Sequence, residues 1–217
     1  MNKISRHIWY VVLAAAVLAL GGCVSTKVAN KAAEIEGHYK YEHTWCYDID
    51  GNHVLADEEG TMTFYNDGYA IDYVRQSYVV TLQNGCKAYW TYWYFSPSNW
   101  RVEGDDFYFA GINSLFRLNK EGRINFYDDS CDNAEIRKTA GLLEDRIRTS
   151  VMKNIGHETK FRYSKPTEKE LVWSYTYPDG HTDTWEFYYE SEATEKFRRE
   201  PSLKVYSGVV KEIPPCP

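Results

Sequence analysis

Residues Lys87-Ala88-Tyr89-Trp90-Thr91-Tyr92-Trp93-Tyr94-Phe95 place six aromatic rings in nine positions. Read as a strand, they divide into two faces. Ala88, Trp90, Tyr92 and Tyr94 share one; Tyr89, Thr91, Trp93 and Phe95 share the other. A strand with one face in water would not be aromatic on both. It is therefore covered on both sides, or one face lines a cavity or a contact surface. Trp173, Tyr175 and Tyr177, and then Trp185, Phe187 and Tyr189, repeat the pattern at every second residue. The 19 Tyr, 7 Trp and 9 Phe of the whole chain make this a β-rich composition.

Outward from this stretch, short strand-like runs alternate with turn signals. Gly37–Tyr47 runs into a turn at residues 48–52, and Thr61–Tyr65 into Asn66-Asp67-Gly68. Tyr69–Leu82 is extended up to Asn84-Gly85, with a break expected near Gln76. Ser96-Pro97-Ser98-Asn99 is expected to break the aromatic strand. Trp100–Glu103 and Phe107–Ala110 flank Gly104-Asp105-Asp106, and Leu115–Leu118 and Arg123–Asp128 flank a turn at residues 119–122. Thr159–Tyr163, Glu170–Tyr177 and Thr182–Tyr189 resume the strands, the last two joined by Pro178-Asp179-Gly180. Leu203–Val210 adds one more possible strand near the end.

A single helix interrupts the pattern near residues 133–155. Asp132 or Asn133 can cap it, Gly156 suits its end, and Ala134, Ile136, Ala140, Leu143, Ile147, Val151 and Ile155 fall on one face. Roughly ten antiparallel strands predict a mainly β protein: an antiparallel up-and-down β-barrel, or a closed sandwich, with one amphipathic helix. Closure removes the exposed edges through which aromatic strands aggregate.

The N-terminus reads as an address. Lys3 and Arg6 precede an apolar run, Ile8–Leu20, of signal-peptide length, and Leu20-Gly21-Gly22-Cys23 follows. This is similar to the lipobox of bacterial lipoproteins. The resemblance implies removal of residues 1–22, a thioether-linked diacylglycerol on Cys23 and a further acyl chain, such as palmitate, on the new amino terminus. Several acyl chains anchor far better than one. Val24 follows the cysteine where an Asp would suggest retention at an inner membrane, so an outer-membrane lipid anchor is the expectation. Residues 23–36 are then the lipidated terminus and tether, and residues 37–217 one barrel domain.

Removal of Lys3 and Arg6 leaves 23 basic against 31 acidic residues, a net charge of −8. Such a chain has no electrostatic reason to bind nucleic acid. Cys46, Cys86, Cys131 and Cys216 remain after Cys23, an even number in an oxidising compartment. Two disulfides are expected, with three pairings open, because none of these cysteines has metal-ligand spacing.

Three stretches resemble the lipocalin-like (calycin-class) lipoproteins of bacterial envelopes. Gly37-His38-Tyr39 stands where lipocalins open their first strand with Gly-x-Trp. The run from Gly60 to Gly68 is similar to the second strand and its turn. Tyr94 to Phe107 is similar to an aromatic–Trp–Gly-Asp hairpin. The resemblance covers residues 37–130 and the Asp179-Gly180 hairpin. It implies a cup for a small apolar or amphipathic molecule.

Catalytic and metal chemistry find little support. Asp48-x-Asp50-x-Asn52 with Glu59 has calcium-loop spacing, but His53 stands where glycine should, and a plain hairpin turn is expected. His38 and His43 differ by five, so a strand points them to opposite faces and away from a shared metal with His53. No G-x-S-x-G elbow exists, and Ser130-Cys131-Asp132 offers no triad. Glu58/Glu59, Asp105/Asp106 and Asp128/Asp129 read as solvated turn acids. The expectation is thus a non-enzymatic protein without cofactor or metal, carrying a small amphipathic or apolar ligand. Trp90, Tyr92, Trp93, Trp173 and Trp185 are the candidates for the ligand-lining wall. The alternative is a surface module that contacts glycan or an envelope protein through exposed Trp and Tyr.

Overall fold

The computed structural model describes residues 32–198. Cys23, Cys216 and the possible strand at Leu203–Val210 lie outside them. A helical turn at residues 32–35 leads into nine antiparallel strands. These are β1 (Gly37–Ile49), β2 (Asn52–Phe64), β3 (Tyr69–Thr81), β4 (Lys87–Glu103), β5 (Asp106–Gly111), β6 (Arg117–Phe126), β7 (Thr159–Thr167), β8 (Glu170–Thr176) and β9 (Thr182–Ser191). Helix α1 (Ala134–Asn154) lies between β6 and β7, and a short helix α2 (Glu195–Arg198) follows β9. No helix among the described residues is long and apolar enough to cross a membrane.

Eight strands close a barrel. Around the ring β1 pairs with β2, β2 with β3, β3 with β4 and β4 with β5, then β5 with β7, β7 with β8, β8 with β9, and β9 with β1. The up-and-down order holds apart from the excursion through β6 and α1. Closure uses only part of the long strands. Strand β9 pairs with β1 from His38 to Glu42, and β5 pairs with β4 from Ser98 to Glu103. The remaining halves of β1–β4 continue past the ring as an open sheet that ends on β6, which pairs with β4 from Ala88 to Phe95. Helix α1 covers one face of this overhang with Ala140, Leu143 and Ile147.

Two apolar cores result. Tyr39, Phe64, Trp100, Phe107, Trp173 and Phe187 fill the barrel. Val54, Val80, Trp90 and Tyr92 pack beneath α1. Each such side chain removed from water is worth about 1.5–3 kcal/mol. Asn133 caps α1, its Oδ1 accepting from the Ile136 N–H at 3.1 Å, and Gly156 (φ 84°) turns the chain just beyond the helix end. The Cys86–Cys131 disulfide joins the start of β4 to the turn that precedes α1. Cys46, half-buried on β1, is also disulfide-bonded.

Several sequence expectations need correction. Strand β4 does not break at Ser96–Asn99: it stays paired to β3, with Ile71 opposite Pro97. On its other side the neighbour changes there from β6 to β5, and the Pro97 carbonyl accepts from Ile112 at 2.7 Å. Proline's missing N–H therefore falls where the ladder is interrupted anyway. The turn expected at residues 119–122 is the interior of the single irregular strand β6, whose register shifts opposite Tyr89–Thr91. Strand β3 runs unbroken past Gln76, and β2 begins at Asn52 rather than Thr61. The candidate calcium loop is a two-residue hairpin, with Asp50 (φ 51°) and Gly51 (φ 71°) both left-handed.

One glycine fixes how the long strands meet inside. Gly60 lies opposite Tyr41 on β1 and Val74 on β3. A Cβ there would stand 2.8 Å from the Tyr73 carbonyl oxygen and 3.1 Å from the Tyr41 ring. Tyr41 thus crosses β2 over a bare backbone. Gly60→Ala is expected to lower stability by about 1–3 kcal/mol, the usual cost of overpacking, in urea unfolding. An unchanged midpoint would contradict this packing.

Candidate functional site

The barrel interior is filled by side chains. Phe64 has the rings of Trp100, Phe107 and Trp173 at centroid distances of 5.5, 5.7 and 5.5 Å, and Trp173 approaches Phe107 to 4.4 Å. Tyr39 is fully buried and donates to the Ile35 carbonyl at 2.9 Å. The five residues expected to form a ligand wall lie in three places. Trp173 sits in the barrel centre, with Trp185 half-buried beside it. Trp90 and Tyr92 are in the core beneath α1. Trp93 is on the opposite face of β4, against Tyr73, with its indole N–H donating to Glu121. No single space brings them together.

Between the two cores lies a belt of buried polar groups that the sequence did not reveal. Glu58, read as a turn acid, points inward from β2, and Asp72 points inward from β3. The Tyr41 hydroxyl donates to Asp72 at 2.9 Å and also hydrogen-bonds Glu58. Gln76 donates its amide to Glu58 at 2.8 Å, Tyr78 donates to Gln76 at 2.6 Å, and Tyr94 donates to Glu58. Burial pushes the Glu58 carboxyl up to about 7, against the pull of those donors. Burial, and then the charge of Glu58, raise Asp72 well above the ordinary carboxylate range. Two carboxyls in one buried compartment therefore both favour their protonated forms. The clue in the sequence was alternation: Val54, Ala56, Glu58, Gly60, Met62 and Phe64 hold one face of β2, and an acid in that series must point inward.

His43 sits directly opposite Glu58 in the β1–β2 ladder, with its ring 5.2 Å from Trp45 and 4.4 Å from Trp185. Burial lowers its pKa, opposed by Asp183. His38, on the other face, bonds Thr63 and stacks on Phe197, as strand parity requires. Among the described residues, no three His, Cys, Asp or Glu side chains converge in a metal-binding group.

The open space lies elsewhere. Where the overhang ends, a cleft of about 720 Å³ separates the first half of α1 from the β1–β2 and β3–β4 turns. Leu82, Ile136, Leu142 and Leu143 form its apolar surface. Asn52, Gln83, Asn84 and Asn133 supply carboxamides around it, and Arg146 of α1 is ion-paired with Asp50 of the β1–β2 turn. Asn52 is fully engaged: its amide donates to the Ile49 and Asp50 carbonyls, and its oxygen accepts from the Gln83 N–H. The Cys86–Cys131 disulfide ties together the two segments that wall the cleft, the β3–β4 turn and the approach to α1.

In comparisons with known proteins, no family model and no curated protein matches this chain.

The belt has a measurable consequence. The folded state holds protons on Glu58 and Asp72 that the unfolded chain releases near pH 4. Their stabilising contribution is complete below that pH and is lost as pH rises through about 7. His38 and His43, both lowered, act oppositely but only as pH falls below about 6.5. Relative to Glu58→Gln, which cannot ionise, the wild-type melting temperature is therefore expected to fall between roughly pH 4.5 and 7.5 and to level off above that. A difference between wild type and variant that stays level or rises over this range would contradict the inward placement of Glu58.

Proposed function

We propose that this protein is a lipid-anchored envelope protein, non-catalytic, whose lipocalin-like barrel serves as the scaffold for binding a small amphipathic or apolar molecule. The observation that carries the binding half is the cleft beneath α1. Its volume of about 720 Å³ lies within the range of small-molecule sites, and its mix of aliphatic side chains and carboxamides matches their usual make-up. This differs from the cup that the lipocalin-like resemblance implies. The closed barrel supports the site from outside instead of containing it, because rings occupy its interior.

The anchoring half rests on Lys3, Arg6, the apolar run after them and Leu20-Gly21-Gly22-Cys23. It favours the outer membrane as the location, and leaves nucleic acid without a role for so acidic a chain. A surface module that grips glycan or an envelope protein through tryptophan has less support. Every tryptophan among the described residues is buried or half-buried, and the exposed rings are tyrosines such as Tyr127 and Tyr188.

Two measurements test the proposal. Wild-type protein is expected in the membrane fraction, and Cys23→Ser, which cannot take the thioether, in the soluble one. Retention of Cys23→Ser in membranes would remove the lipid anchor. Native mass spectrometry of protein taken from its own envelope is expected to show a stoichiometric adduct that organic solvent extracts. A bare mass at every protein concentration would count against the carrier reading.

A further inference from the structure

The groups that face the cleft define the molecule it takes; this step rests on the binding reading above. Most of its charges are closed among themselves. Arg146 of α1 is paired with Asp50 of the β1–β2 turn, and Asp145 with Arg148 along the helix. The positive end of α1 at Asn133 already has Glu135 in its first turn. An anionic head group entering here would lose water without finding a free counter-charge, and a cationic one would find only Glu135, which is exposed to solvent and already faces the helix N-terminus, so either is costly.

Neutral hydrogen-bonding capacity is open by contrast. Asn84 uses only its oxygen, to accept from the Cys86 N–H, and Asn133 only its oxygen, in the helix cap. Gln83 uses only its side-chain nitrogen, donating to the Asp50 carbonyl at 2.7 Å. Two carboxamide N–H₂ groups and one carbonyl oxygen thus remain without a protein partner among the described residues, and together they can both donate and accept. The apolar surface is aliphatic throughout, in a chain that uses aromatic rings almost everywhere else. Nothing there stacks on a flat ring, while Leu82, Leu142 and Leu143 suit a flexible chain.

We infer that the cleft binds an uncharged aliphatic amphipath, its alkyl chain against Leu82, Leu142 and Leu143 and its hydroxylated head group on the carboxamides of Gln83, Asn84 and Asn133. Alkyl glycosides and monoacylglycerols share this chemistry.

The test uses the mature lipidated chain in lipid nanodiscs, with its leucine methyl groups labelled for NMR. Hexyl glucoside, hexylammonium and hexanoate are titrated separately. Hexyl glucoside is expected to shift the Leu82, Leu142 and Leu143 methyl resonances saturably, half-saturating at a concentration at least about tenfold below that of either charged probe, a difference of about 1.4 kcal/mol. Leu142→Glu, at a position 61% exposed, is expected to abolish the Leu82 shift while leaving the leucine signals of the barrel in place. Equal or tighter binding of a charged probe at the same methyls would overturn the neutral-head inference and leave the cleft as a binding site. No saturable shift with any probe would overturn the binding reading, and this inference with it.

Discussion

A mismatch in strand length governs this molecule. Strands β1 to β3 have 13 residues each and β4 has 17, whereas β5, β7, β8 and β9 have 6, 9, 7 and 10. At about 3.3 Å per residue, the long strands reach beyond 40 Å and most of the short ones span about 20–30 Å. The ring can close only over the shared length. What projects is a sheet with one apolar face, and that face must be covered or it becomes a site of aggregation. The chain covers it by leaving the ring after β5, adding β6 along β4 and laying α1 across the overhang before returning as β7. The cleft is the gap that remains where the helix outruns the sheet.

The same mismatch accounts for the buried belt. At the level where the ring ends, inward positions of β1 to β4 belong to neither core. Tyr41, Glu58, Asp72, Gln76 and Tyr94 occupy them, and each hydroxyl or amide finds a partner among the others. Two buried carboxyls would be prohibitive as separate charges. They are tolerated because tyrosine and glutamine donors surround them and because they can keep protons. The seam between the cores is thereby specific in register: a shift of one residue along β2 would place Glu58 in water and Glu59 inside.

Much of the architecture was legible from local signals. Alternating aromatics marked β4, β8 and β9. Asn-Asp-Gly, Asn-Gly and Pro-Asp-Gly marked hairpins, and Asn133 with Gly156 framed α1 almost to the residue. Signals that depend on the neighbour were not. Pro97 reads as a strand breaker, and only the exchange of β6 for β5 beside it makes a proline harmless in mid-strand. Glu58 and Glu59 read as solvated turn acids, and only pairing with β1 and β3 turns Glu58 inward and makes Gly60 a crossing point for Tyr41. The site was the least legible part. Aromatic richness pointed to a lined cup, but the rings pack on one another in two cores. The cleft is made of leucines and carboxamides brought together from three distant segments.

In the proposed arrangement the ligand binds beneath α1 and the barrel is a filled support. Photo-crosslinking with a hydroxylated alkyl diazirine, followed by peptide mapping, tests that placement most directly. Labels are expected on the peptides that carry Leu82 and Leu142–Leu143. Labels concentrated on the barrel residues Phe64, Trp100 and Trp173 would show that the interior opens to admit the ligand, and would contradict it.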